Sequence, residues 1–65
     1  MTRLQQWLVT RVDEGLAWQG WTQTRLAAEA GISQKHLSEM LRGRAEGSLT
    51  VWDRLLALLE IRFTD

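Results

Sequence analysis

Between Thr22 and Gly43 the chain reads TQTRLAAEAGISQKHLSEMLRG. That stretch admits little besides two short helices with a tight turn between them. Thr22 supplies a side-chain hydroxyl for the free amides of a first turn. Trp21 before this cap and Leu26 after it suit a hydrophobic staple. Leu26, Ala27 and Ala30 make a narrow apolar stripe at helical spacing, and Ala27 is small enough to let another helix cross closely. Gly31 stands where helices commonly close on a left-handed residue. Ile32 then turns back toward the core, and Ser33 caps a second helix over 34–42, with Leu37, Leu41 and Met40 as its inward residues. Gly43 closes this helix as Gly31 closes the one before.

The flanking segments are helical too. A first helix over 2–18 starts at Thr2, with Gln5 placed for a capping box. Leu4, Leu8, Val12 and Leu16 recur in steps of four as its core stripe, with Trp7 beside them. Gly15 disfavours a helix interior by about 1 kcal/mol relative to Ala, so fraying from that point is expected. Trp18 and Trp21 flank the break at Gly20. Trp21 reads as core. Trp18 either packs over the helix junction or stands exposed as an anchor for a partner. After the loop GRAEG, Ser48 or Thr50 caps a last helix over 49–60, whose stripe is Leu49, Trp52, Leu55, Leu56 and Leu59, closed by Ile61. The 65 residues, without proline and with helical spacing throughout, predict one all-α domain over 1–65: four compact helices, with room for a short fifth turn.

Two helices joined by a short glycine-containing turn form the helix-turn-helix geometry, in which the second helix enters the DNA major groove. The pairs Thr22-Gln23 and Leu26-Ala27, the triplet Gly31-Ile32-Ser33, then Gln34 and Leu37-Ser38 stand at joint spacings that resemble the phage lambda-type repressor and Cro (XRE) family. Arg42-Gly43-Arg44 and Ser48-Leu49 continue the resemblance, which covers about residues 20–61, or nearly the whole chain if the first helix is counted. It implies a lambda repressor-like DNA-binding fold with the helix-turn-helix at 22–43, helix two over 23–30 and a recognition helix over 34–42.

Charge bears on this reading. The net charge is zero, whereas phosphate attraction favours a basic domain. The distribution partly answers the difficulty. Residues 20–45 hold Arg25, Lys35, Arg42 and Arg44 against Glu29 and Glu39, while Glu46, Asp53, Glu60 and Asp65 load the carboxyl end. Weak non-specific binding is therefore expected. The chain lacks cysteine, which fits a reducing cytoplasm (bacterial, or that of the host if phage-encoded). It has no apolar run long enough to span a bilayer. His36 is the sole histidine, and neither Asp13/Glu14 nor Glu60/Asp65 suggests catalysis. No enzyme activity, cofactor, metal or small-molecule ligand is expected.

On the recognition helix, Gln34, Lys35, Ser38 and Glu39 share an outward face. The resemblance gives them the base contacts, and their chemistry agrees. Gln pairs with adenine N6 and N7, Lys reaches guanine O6 and N7, and Glu accepts from cytosine N4. The alternative is a solvated polar face. Gln23 holds a DNA phosphate in the family, at a helix end that suits an anion. Thr22 and Thr24 add hydroxyls, and His36, Arg42 and Arg44 are further candidates for phosphate contact. Relatives often place a glycine where Glu60 stands, so the last helix is expected to run on toward Phe63. Many also dimerise through a fifth helix, for which a chain ending at Asp65 has little length. Trp18, Leu58 and Phe63 are candidates for a replacement contact, with a partner or in a homodimer on a palindromic site. The function expected is sequence-specific binding of double-stranded DNA by a Cro- or repressor-like regulator that occupies a promoter. The competing reading is a protein-interaction module, antitoxin-like or anti-regulator, using a Trp/Leu surface. An exposed Trp-led apolar patch would favour the latter, and a buried Trp set with exposed Gln34, Lys35 and Arg42 the former.

Overall fold

The computed structural model describes residues 2–61. Within them the chain forms α1 (Arg3–Gln19), α2 (Gln23–Ala30), α3 (Gln34–Leu41) and α4 (Leu49–Leu58), with no strand among the described residues. Each helix begins on a hydroxyl. Thr2, Thr22, Ser33 and Ser48 accept from the N–H groups of Gln5, Arg25, His36 and Val51 at 3.0–3.2 Å. Each such cap satisfies one of the first-turn amides that has no partner within its helix. Ser48, rather than Thr50, caps α4.

Every helix also ends in a similar way, with at least two N–H groups folding back onto carbonyls of its last turn. At the turn inside the motif, Gly31 donates to Ala28 at 3.3 Å and Ile32 to Ala27 at 3.0 Å, with Gly31 at φ 74°. That left-handed conformation reverses the chain toward Ser33 without Cβ strain. At α4 the bonds are Glu60 to Ala57 (3.1 Å) and Ile61 to Leu56 (2.8 Å), with Glu60 at φ 60°. The expected extension toward Phe63 therefore does not occur. The helix stops at Leu58, and a glutamate takes up the conformation that glycine adopts elsewhere. Phe63 itself lies outside the described residues.

A left-handed residue with a Cβ costs roughly 1–2 kcal/mol, part of which glycine returns as unfolded-state entropy. Glu60→Gly is expected to stabilise the fold by about 0.5–1 kcal/mol and to raise the melting temperature by a few degrees. A melting temperature at or below the wild-type value would mean that the Gln19 Nε2–Glu60 Oε2 hydrogen bond (3.3 Å) outweighs the strain.

The core comprises Leu8, Val12 and Leu16 of α1, Leu26, Ala27 and Ala30 of α2, Leu37 and Met40 of α3, and Trp52, Leu55 and Leu56 of α4, with Leu59 just past its end. α2 packs against both α3 and α4, and α1 packs against α4. The observed stripes are narrower than those expected. Steps of four advance about 40° around a helix, so Leu4 has rotated off the face that Leu8 to Leu16 bury and is 58% exposed. Leu49 lies within about 20° of Leu56 around α4, yet it stands in the first turn and is 73% exposed. In α3 it is Met40 that is fully buried, and Leu41 only partly. Gln5 does not turn back to its own cap. Its Nε2 donates to the Ala45 carbonyl instead, at 3.2 Å.

Nor does α1 fray at Gly15. A Cβ there would lie 3.0 Å from Ile61 Cδ1 and 3.1 Å from Leu59 Cβ, so the missing side chain is what lets the end of α4 pack on α1. Trp52 buries its ring and donates its Nε1–H to the Glu46 carbonyl at 2.8 Å, which fastens the 43–48 loop to α4. Arg54 Nη1 donates to the Ala30 carbonyl at 2.9 Å, tying α4 to the carboxyl end of α2.

Candidate nucleic-acid interface

α3 is short, about 12 Å at 1.5 Å per residue, a length comparable with the width of the DNA major groove. Its inward side is fixed by Leu37 and Met40. Opposite them, Gln34, Ser38, Arg42, Lys35 and Glu39 fan over about 140° of arc at 100° per residue. Gln34, Lys35 and Arg42 are exposed, whereas Ser38 and Glu39 are half-buried. At Glu39 the loop folds back onto the helix, since Arg44 and Ala45 donate N–H groups to its carbonyl at 2.8 and 3.2 Å. His36 is exposed but lies beyond Glu39 in the same rotation, on the flank of the helix and apart from the fan. That position suits a backbone contact better than a base edge.

α2 presents its amino end with Thr22 and Thr24 exposed and Gln23 half-buried. Thr22 Oγ1 accepts from the Arg25 N–H at 3.1 Å, and its own O–H remains able to donate. Arg42 and Arg44, both exposed, bracket Gly43 at the far end of α3. The ion pair seen among the described residues joins Arg11 to Glu14 on α1, at 2.8 Å. No carboxylate therefore neutralises Lys35, Arg42 or Arg44 among those residues.

Arg25 escaped the sequence reading, which counted it only as charge. Its Cζ lies 4.2 Å from the ring centroid of Trp21. The available signal was the residue before a helix cap, whose side chain packs onto the first turn and so meets an arginine there.

The tryptophans divide. Trp52 is buried, Trp21 is half-buried against the core, and Trp7 is 38% exposed. Trp18 does not pack over the helix junction. It lies about 200° around α1 from Leu16 and is 87% exposed. Beside it runs a shallow groove of about 260 Å³, floored by Gly15, Leu59 and Ile61. Leu58 is half-buried, on the flank of α4. Partial desolvation raises the Asp13 carboxyl above its ordinary value. No group of three or more His, Cys, Asp or Glu side chains suited to a metal gathers around it or elsewhere among the described residues. None of the described helices is long and apolar enough to cross a membrane.

Comparison with curated proteins and with solved structures finds no match. A family model described as helix-turn-helix does match, over residues 14–65, which takes in the end of α1, the α2–turn–α3 unit and α4. With the capped α2, the glycine turn and the outward α3 face already in place, the chain belongs to the lambda repressor/XRE-type helix-turn-helix family of DNA-binding regulators.

Proposed function

We propose that this protein binds double-stranded DNA sequence-specifically and acts in the cytoplasm as a Cro- or repressor-like transcriptional regulator, by occupying a promoter. The observation that carries this reading is the outward α3 face, where exposed Gln34 and Lys35 stand beside Ser38 and Glu39. In this reading α3 lies in the major groove, and these four residues contact base edges. Each good pairing is worth about 1–3 kcal/mol of discrimination. Thr22, Gln23 and Thr24 hold a phosphate at the amino end of α2. His36, Arg42 and Arg44 contact the backbone on either side.

Selection of bound duplexes from a random library at low salt tests this. The wild type is expected to enrich a motif, and a Gln34→Ala/Lys35→Ala variant to lose preference at the matching positions. Failure to enrich any sequence at ~50 mM salt, where phosphate attraction is strong, would sink the DNA reading. A palindromic motif with half-sites ~34 Å apart would indicate a homodimer.

The exposed Trp18 indole supports a second reading, in which the fold serves as a protein-interaction module. Trp18 and Leu58, together with Phe63 outside the described residues, are equally candidates for a homodimer contact on DNA. The two readings separate on the library selection, since only the DNA reading requires α3 to choose a sequence.

A further inference from the structure

We propose that Arg25, laid on the indole of Trp21, is a preformed clamp for a DNA phosphate at the edge of the motif. This rests on the DNA reading above and adds a residue to it. Trp21 is half-buried and packs against the core, so the ring is a fixed platform, whereas Arg25 is exposed. Trp21 precedes the Thr22 cap, so the 4.2 Å stack draws the guanidinium back toward the amino end of α2, where Thr22, Gln23 and Thr24 stand. Stacking occupies one face of the guanidinium plane and leaves its N–H donors at the edge, in the fork that matches two phosphate oxygens.

Two other arginines of the helices contrast with it. Arg11 is held by Glu14, and Arg54 donates to the Ala30 carbonyl. Arg25 has no carboxylate within ion-pair distance among the described residues. A side chain already ordered on a ring loses less rotamer freedom on contact than a free one. In a chain of zero net charge, each such contact is a large share of the phosphate attraction.

The test measures affinity for one fixed mixed-sequence duplex over a salt series, by fluorescence anisotropy, for wild type, Arg25→Gln and Arg25→Lys. Arg25 is exposed, and thermal melts will verify that both variants fold. Arg25→Gln is expected to lower the slope of log affinity against log salt by about 0.9, while library selection returns the wild-type motif unchanged. Arg25→Lys is expected to restore the slope with weaker binding at every salt concentration, because the point charge remains and the stacked fork is lost. An Arg25→Gln slope equal to that of the wild type, or an Arg25→Lys slope as low as that of Arg25→Gln, overturns the clamp and leaves the DNA reading standing. A wild type that binds no duplex at ~50 mM salt overturns both.

Discussion

Replacing Trp52 by Ala is expected to abolish the cooperative thermal transition. Trp52 is 3% exposed and shares the core with Leu55, Leu56 and Leu59. Truncating a buried aromatic costs about 3–5 kcal/mol, and a chain of this length has a total stability of roughly 3–10 kcal/mol. The substitution also releases the Glu46 carbonyl, so the loop behind α3 loses its tie to α4. Trp52→Phe separates the two contributions. It keeps most of the buried ring and deletes the hydrogen bond, for an expected loss nearer 1 kcal/mol. Circular dichroism melts and urea titrations read both variants. A Trp52→Ala melting temperature within a few degrees of the wild type would show that the ring is not the keystone its burial indicates.

Gly47→Ala is expected to destabilise by about 2–4 kcal/mol, a large effect for one methyl group in a loop. Gly47 lies at φ 69°, and a Cβ there would come within 2.6 Å of Met40 Cε and 3.0 Å of its sulfur. Met40 is wholly buried, so its flexible end has little room to swing away. Gly20 is the control. Its φ is 71°, yet a Cβ there would meet nothing within 4 Å. Gly20→Ala should therefore cost only the left-handed strain, about 1–2 kcal/mol. The difference between the two variants in urea titration measures the Met40 contact. Equal losses would mean that the thioether moves aside freely and that the loop exerts no pressure on α3.

How far the chain could be read in advance varies from element to element. The hydroxyl caps of α2 and α3 and the glycine between them are local signals, and local signals survive folding, so the motif was legible to within a residue. The end of α4 was not. Its closing bonds are the same as at Gly31, but Glu60 carries no composition cue for a left-handed turn. Leu49 is exposed because it stands in the first turn of α4, and Leu4 for a geometric reason. A step-of-four stripe drifts around the helix, and which end leaves the core depends on where the neighbouring helix stops. The placement of Gln34 and Lys35 on an outward face followed from Leu37 alone, whereas the partial cover over Glu39 depends on a loop that returns to its carbonyl. The Trp21–Arg25 stack and the exposure of Trp18 are side-chain outcomes that periodicity brackets without fixing.

The ties that hold the 43–48 loop have a thermodynamic consequence. Gln5 of α1 takes the Ala45 carbonyl and Trp52 of α4 takes that of Glu46, so the segment leaving α3 is bonded to the body of the fold before any partner arrives. An association that uses α3 then carries no folding step. Its heat-capacity change should reflect only the surface covered at the contact, without the added decrement of a segment that orders as it binds. The affinity is not reduced by the cost of ordering that loop's backbone, and the same rigidity limits how many differently shaped grooves α3 can enter.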